Sequence, residues 1–142
     1  MTTSLKDKIL AIIGQPVLGA LATVTPDGKP WTRYVVPQAD PDLTIHFCTF
    51  LGSRKIAHLR GNPEVHLTVG HNTLGSMGQP YLQIAGRAEV STDPAIKRKY
   101  WHDELKAYFK GADDPDYCVV LIKPYRIEYQ TFESQAPQVW EG

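Results

Sequence analysis

Short strand-like segments joined by tight turns are the feature of this chain that most restricts its fold. Gly19 to Val24 has the pattern of a buried strand, residues 25–28 (TPDG) supply a turn with proline at its second position, and Pro30 to Ala39 returns as the second strand of a hairpin. Further strands are predicted over residues 43–50, 64–69, 81–90, 117–124 and 126–132. Because this order lacks regular βαβ alternation, we expect one mainly β domain over residues 1–142, an antiparallel barrel with flanking helices.

Three helices are predicted between the strands. Ser4 is placed to cap a helix whose apolar spacing runs from Leu5 to Ile13, and a short helix is predicted from Ser53 to about Arg60. Asp93-Pro94 opens the longest predicted helix, which continues to about Lys110. Residues 70–80 (GHNTLGSMGQP) form a Gly-rich loop that neither opens a helix nor matches a phosphate-binding glycine motif.

Charge and hydropathy limit the classes of partner. The 142 residues include 15 Lys+Arg and 15 Asp+Glu, so no overall field attracts nucleic acid or an anionic membrane, although a local anion site is allowed. The apolar stretches are too short to cross a bilayer, and the segment MTTSLKDK lacks the apolar region of a signal peptide. We therefore expect a cytoplasmic protein that binds neither nucleic acid nor membrane.

Ser53, Arg54 and Lys55 form the first candidate binding cluster. They coincide with the predicted start of a helix, where unsatisfied N–H groups already carry partial positive charge and added cations are unfavourable. With Ser53 as N-cap, its hydroxyl and the first-turn N–H groups would point at one spot, and the two cations would add charge-assisted hydrogen bonds to an anion. The alternative is a solvated helix cap with two surface cations.

Two further residues leave alternatives open. Strand alternation places Arg33 on the same face as Trp31 and Val35, so its side chain either extends to the edge or meets a buried anion. Trp140 lies in the polar tail SQAPQVWEG, which has no periodicity, and cannot easily join its own core. It either packs on a partner chain or planar ligand, or its position is incidental.

Metal binding is not expected. Cys48 and Cys118 lie in apolar strand-like surroundings without CxxC spacing, which indicates reduced core thiols. The five histidines show no HExxH or other short paired spacing, so several would have to converge from separate strands to bind a metal.

Taken together, these segments resemble the pyridoxamine 5′-phosphate oxidase-like flavoproteins of the FMN-binding split-barrel superfamily, and in particular the small bacterial general-stress-protein type. The family often shows an Arg on the second strand, a strand ending in Thr, a Ser-x-Lys helix start and an Asn-Pro pair. The corresponding residues are Arg33, Thr49, Ser53 with Lys55, and Asn62-Pro63 within TFLGSRKIAHLRGNPEVHLTV. Residues 86–89 (GRAE) are similar to a further stretch of the family.

The resemblance implies a six- to seven-stranded antiparallel Greek-key split barrel that forms a homodimer, with FMN in grooves between the subunits. The residues implied for FMN are Ser53, Arg54 and Lys55 at the phosphate, backbone groups of Arg33, Tyr34, Val35, Val36, Cys48 and Thr49 at the isoalloxazine ring, and Gln79 or Tyr81 from the opposite subunit. Trp140 is predicted to cap the ring across the dimer groove and to matter for flavin binding rather than for folding.

The resemblance also predicts the activity. We expect an FMN-dependent oxidoreductase that passes electrons between a nicotinamide or other donor and a small acceptor; no catalytic residue is assigned. Oxidation of pyridoxamine phosphate is not expected, because no Lys follows the second strand near Pro37 or Gln38 and the tail QAPQVWEG has no Arg. The alternative is a flavin- or haem-binding module without turnover. The deazaflavin F420, with a longer phosphate tail, would need more cations than the sequence offers.

Overall fold

The computed structural model describes residues 3–142, in which three α-helices and eight β-strands are formed. The helices are α1 (Leu5–Ile13), α2 (Arg54–Gly61) and α3 (Pro94–Lys99). The strands are β1 (Gly19–Val24), β2 (Pro30–Val35), β3 (Gln38–Ala39), β4 (Ile45–Phe50), β5 (Glu64–Val69), β6 (Tyr81–Ser91), β7 (Tyr117–Gln130) and β8 (Gln138–Glu141). Short 3₁₀ turns occupy Leu74–Ser76 and Asp103–Ala107. No helix within residues 3–142 has the length and apolar character needed to span a bilayer.

The eight strands form one curled antiparallel sheet. Their order is β2-β1-β5-β6-β7-β4-β3, and β8 pairs with β7. The predicted mainly β split barrel is confirmed, with one strand more than the six or seven expected. The hairpin of β1 and β2 is also confirmed, with Gly28 in the left-handed region (φ 82°) at the end of its turn.

The strand predicted over 30–39 divides into two. β2 pairs with β1, whereas β3 pairs with β4, so the chain crosses from one edge of the sheet to the other at Val36-Pro37. Within residues 3–142, β2 has no strand partner on its second edge, and β4 has none on its second edge from Phe47 to Phe50. We call the gap between these two edges, which meet at Val36-Pro37, the seam. Backbone N–H and C=O groups that point into it have no ladder partner.

Alternation along the strands places the core inside the curl. Leu21, Leu67 and Ile84, on three adjacent strands, are fully buried. Helix α1 adds Ile9 and Ile13 to the same core, which matches its predicted apolar face. The predicted cap is confirmed, because the Ser4 side chain accepts a hydrogen bond from the backbone N–H of Asp7 at 3.1 Å.

The long helix predicted over 93–110 is wrong. Helix α3 ends at Lys99, because the next two aromatic side chains are held by different partners. The Tyr100 hydroxyl donates to Asp40 at 2.6 Å, whereas the Trp101 ring packs edge-on against Tyr117 with centroids 5.5 Å apart. Consecutive side chains on a helix point about 100° apart, so a continuous helix would not turn both rings toward the sheet.

The strands predicted over 117–124 and 126–132 form a single strand. In the pairing of β6 with β7, Ala85 faces Arg126 and Gly86 faces Pro124, so Tyr125 is an extra residue at a β-bulge. Proline at position 124 supplies no N–H to the ladder, which is tolerated at such an irregularity.

The tail forms a strand, although its sequence has no periodicity. Residues 138–141 form β8, and Trp140 lies opposite Ile127 of β7. Its partly buried side chain packs against the main core of its own chain. The expectation that Trp140 cannot join its own core is therefore wrong, because strand pairing carries the tail back over the sheet.

Trp140→Ala is expected to destabilise the ligand-free protein by about 1–3 kcal/mol, since it removes a large, partly buried aromatic side chain. Urea denaturation of the ligand-free protein measures this loss. Val139→Ala, which truncates a neighbouring and more exposed apolar side chain of β8, is the matched control and should cost less. Equal free energies of unfolding for wild type and Trp140→Ala would contradict the structural role.

Candidate functional site

Helix α2 begins at the predicted cluster. Ser53 has the extended backbone of an N-cap, but its hydroxyl makes no capping bond and instead donates to the carbonyl of Phe50 at 2.8 Å. That this hydroxyl and the first-turn N–H groups converge on an anion stays a prediction. The Lys55 ammonium donates to the hydroxyls of Thr49 at 2.9 Å and Ser53 at 3.3 Å. One of its three N–H donors remains free for another partner.

Arg33 reaches the same region from β2. Its guanidinium donates to the Thr23 hydroxyl at 2.7 Å and to the Leu21 carbonyl at 3.2 Å. The Nδ1 atom of His58 lies 2.9 Å from the Thr23 hydroxyl and 3.4 Å from the guanidinium, so Nδ1 faces donors and acts as the acceptor. Arg33 is thus half-buried and bound to neutral groups, and its contact with an anion stays a prediction.

Sequence reasoning missed Thr23 and His58. The available signal was the polar Thr23 at an inward-facing position of a strand that is otherwise apolar, GALATV. The hydroxyl satisfies both Arg33 and His58, so these residues link β2, β1 and α2. That link holds the guanidinium in place without neutralising it.

The cluster of Arg33, Arg54 and Lys55, which we call the cation cluster, has no carboxylate partner. None of the six ion pairs within residues 3–142 includes these side chains. Burial, and then the charge of Arg54, lowers the pKa of Arg33. Burial, and then the charge of Arg33, lowers the pKa of Lys55. Both shifts have the sign produced by positive charges that repel one another in a partly desolvated place, and a bound anion would relieve both.

The residues predicted to line a flavin ring lie along the seam. Arg33 to Val35 belong to β2, Val36 follows it, and Cys48 and Thr49 belong to the β4 segment with an unpaired edge. The structure therefore brings the two predicted backbone segments to the two sides of one gap. Their side chains differ, since those of Val35 and Thr49 are buried whereas that of Tyr34 is 75% exposed.

Gln79 and Tyr81 lie elsewhere on the surface of the same chain. The Tyr81 ring packs on His71 at a centroid distance of 4.9 Å, and His71 Nε2 donates to the Gln79 carbonyl at 2.6 Å. Tyr81 and Tyr34 share a groove of about 400 Å³, which we call the Tyr34 groove. Its other walls include Leu18, Met77 and Phe132, and no member of the cation cluster lines it. One chain therefore does not bring Gln79 or Tyr81 to these cations.

Trp140 is also separate from the cation cluster within one chain. Its partner Ile127 lies nine residues along β7 from Cys118, which pairs with Thr49. That separation corresponds to about 30 Å of extended strand. Contact between Trp140 and a flavin stays a prediction, and it would involve the flavin of a partner chain.

A family model described as pyridoxamine 5′-phosphate oxidase matches residues 5–131. The chain belongs to the pyridoxamine 5′-phosphate oxidase family. Within this family, the chain is 32% identical over 133 residues to General stress protein 26 of Bacillus subtilis (strain 168), covering 94% of this chain and 93% of that protein. The crystal structure of General Stress Protein 26 from Bacillus anthracis str. Sterne superposes with a TM-score of 0.82 at 28% identity, covering 99% and 100% of the two chains.

The oxidases of this family match the chain over a smaller share of their own length. The chain is 33% identical over 97 residues to the pyridoxine/pyridoxamine 5′-phosphate oxidase of Aeromonas hydrophila, which covers 68% of this chain and 43% of that enzyme. The match to the stress protein thus extends over nearly the whole of both chains, whereas the match to the oxidase covers less than half of the oxidase.

Proposed function

We propose that this protein binds FMN at the seam and acts as a flavin-dependent oxidoreductase. The observation that carries the proposal is the cation cluster, in which the partly buried Arg33 and Lys55 and the exposed Arg54 face no carboxylate within residues 3–142. An anion with several acceptor oxygens, such as a phosphate, supplies the missing charge. Membership of the pyridoxamine 5′-phosphate oxidase family supports a flavin as the bearer of that phosphate.

The residues of the cluster fit a phosphate in different ways. Arg54 is exposed and offers a planar fork of donors, and Lys55 has one N–H donor beyond its two hydroxyl partners. Of the first-turn N–H groups of α2, that of Ile56 bonds to the Ser53 carbonyl at 3.1 Å. Those of Arg54 and Lys55 are left free by the Ser53 hydroxyl, which bonds to Phe50 instead. Arg33 is already held by Thr23 and Leu21, so its role is to contribute positive charge.

The two edges of the seam fit the ring of a flavin. Unpaired backbone N–H groups of β2 and β4 would bind polar atoms of the isoalloxazine ring and exclude water from one of its faces. When bound, the flavin supplies hydride and single-electron chemistry, and the protein tunes it through such hydrogen bonds.

A homodimer completes the proposed site. β2 is an edge strand, and the Tyr34 groove beside it exposes Leu18, Tyr34, Met77 and Phe132 to solvent. A symmetric copy covering this surface would bury these exposed apolar side chains. It would also allow Gln79, Tyr81 or Trp140 of one subunit to approach the flavin of the other.

Pyridoxamine phosphate is not the substrate we propose. No cation follows β2, because Gln38 is neutral. Its side-chain amide donates to the Gly14 carbonyl at 3.2 Å. β8 presents Gln138, Val139, Trp140 and Glu141 and therefore no arginine to grip a substrate phosphate. The chain also spans only 43% of the length of the Aeromonas oxidase.

An absorption spectrum of the purified protein tests the proposed function. We expect flavin bands near 370 and 450 nm, by analogy with typical oxidised flavins, and bleaching of the 450 nm band when NADH or NADPH is added without oxygen. A bound flavin that no donor reduces would indicate a binding module without turnover. A Soret band of haem, or a colourless protein that does not bind added FMN, would overturn the FMN assignment.

A further inference from the structure

A second concave site lies on the outer face of β4. It is a cleft of about 760 Å³ between β4 and the segment that follows α3. Its apolar walls include Val36, Trp101 and Leu105, and its polar groups include Asp40, His46 and Tyr100. Cavities of roughly 300–1,000 Å³ with apolar walls and a few convergent polar groups are typical of small-molecule sites.

The three polar groups are bound to one another in a fixed order. Asp40 accepts a hydrogen bond from the Tyr100 hydroxyl at 2.6 Å through one oxygen, and its other oxygen lies 3.2 Å from His46 Nε2. The His46 ring also packs on the Tyr100 ring with centroids 4.0 Å apart. Because a carboxylate is an acceptor, Nε2 of His46 carries the hydrogen, and Nδ1 of the neutral ring is an acceptor.

Nδ1 of His46 is the polar atom this arrangement leaves available. It has no hydrogen-bond partner within residues 3–142, and no buried side-chain nitrogen or oxygen there lacks a partner. The atom is therefore accessible, and His46 lines the cleft. Burial lowers the pKa of His46 more than the charge of Asp40 raises it, so the imidazole is neutral near pH 7. The cleft thus offers an acceptor that a ligand hydroxyl or N–H can reach.

Charge around the cleft is the reverse of that in the cation cluster. The lining residues include the carboxylates of Asp40, Asp103 and Glu104 against the single ammonium of Lys99. An anionic ligand would therefore be disfavoured, whereas a neutral or cationic ligand would not. The two sites lie on opposite faces of β4, because His46 and Cys48 point outward and Thr49, which binds Lys55, points inward.

We propose that this cleft binds a neutral or cationic aromatic molecule that carries a hydrogen-bond donor and no phosphate. The donor bonds to Nδ1 of His46, and the ring lies against Trp101 and Val36. This binding rests on the cleft alone. That the ligand is the electron-transfer substrate rests on the proposed function, since Val36 and Cys48 belong both to the cleft and to the proposed flavin-ring site.

Calorimetric titration of the FMN-free protein with four small phenyl compounds tests the ligand class. Tyramine is cationic with a phenol donor, tyrosol is its neutral analogue, 4-hydroxyphenylacetate is its anionic analogue, and phenethylamine lacks the phenol. We expect tyramine to bind about tenfold tighter than 4-hydroxyphenylacetate and about three- to tenfold tighter than phenethylamine, with tyrosol between the two charged phenols. Equal affinities across the series, or no binding at millimolar concentration, would overturn the proposal.

Two variants test which side chains cause these differences in ligand affinity. His46→Phe removes the acceptor and should abolish the advantage of tyramine over phenethylamine, whereas His66→Phe, at an exposed position on β5, should not. The double variant Asp103→Asn/Glu104→Gln changes exposed side chains only and should narrow the ratio of tyramine to 4-hydroxyphenylacetate affinity. Its control, Glu89→Gln/Asp113→Asn, makes the same charge change away from the cleft. An unchanged ratio in the cleft variant would contradict the proposed charge preference.

Titration of FMN into the same proteins separates this proposal from the proposed function. The cleft variants should bind FMN as wild type does, because none of their residues belongs to the cation cluster. If the wild type binds tyramine selectively but does not bind FMN, the cleft proposal stands and the flavin assignment is wrong. If it binds FMN but does not distinguish among the phenyl compounds, the flavin assignment stands and the cleft proposal is wrong.

Discussion

Lys55→Ala is expected to weaken FMN binding roughly ten- to a hundred-fold and to leave riboflavin binding nearly unchanged. The substitution removes a charge-assisted contact to the phosphate, worth about 1.5–3 kcal/mol. Riboflavin has the same ring without the phosphate, so it reports on the seam alone. Titration of both flavins into ligand-free wild type and variant, followed by flavin fluorescence, measures the two affinities.

The ligand-free Lys55→Ala protein should be as stable as wild type or slightly more stable. Lys55 is repelled by Arg33 and lies at the start of a helix, so its charge is unfavourable without an anion, while its bonds to Thr49 and Ser53 are to neutral hydroxyls.

Lys55→Met, which keeps part of the side-chain stem, should behave like Lys55→Ala. Lys123→Ala, at an exposed position on β7, is the matched control and should bind both flavins as wild type does. Unchanged FMN affinity in Lys55→Ala, or an equal loss for both flavins, would remove the phosphate site from the proposed function.

Phe132→Asp is expected to convert the proposed homodimer into a monomer that binds FMN poorly. Phe132 is 67% exposed in one chain and lines the Tyr34 groove, where we propose that a second copy packs. Placing a carboxylate in such an interface should cost about 2–4 kcal/mol of dimerisation free energy, or roughly thirty- to a thousand-fold in the dimer dissociation constant. Sedimentation equilibrium over a concentration series measures the dissociation constant, and FMN titration at the same concentrations measures its consequence for binding.

Tyr108→Asp provides the control for Phe132→Asp. Tyr108 is an aromatic of nearly the same exposure, 66%, that packs against Phe50 and does not line the Tyr34 groove. This variant should remain dimeric and retain FMN affinity. A wild-type protein that is monomeric at micromolar concentration would contradict the dimer and weaken the FMN assignment. A monomeric Phe132→Asp variant with full FMN affinity would show that one chain forms the whole site.

The sequence by itself determined the elements whose signals are local. The turn at residues 25–28, the Ser4 cap and the start of α2 at Ser53 were all predicted, because a proline, a glycine or a capping residue acts on the few residues next to it. Strand β5 was predicted with its observed bounds, since alternation and the flanking Asn-Pro and Gly limit it from both ends. The spacing of Ser53, Arg54 and Lys55 also predicted an anion site, which stays a prediction.

Tertiary structure alone decided the features that depend on distant partners. Asp40 and Tyr117 end the helix that periodicity would have continued through Tyr100 and Trp101. Thr23 and His58, which hold Arg33, are distant in the sequence and meet only when β1 and α2 pack together. The pattern of the tail carries too little periodicity to predict β8, since its strand geometry comes from pairing with β7. Local propensity sets where an element can begin, whereas burial and hydrogen bonding with remote residues set where it ends and which side chains share a site.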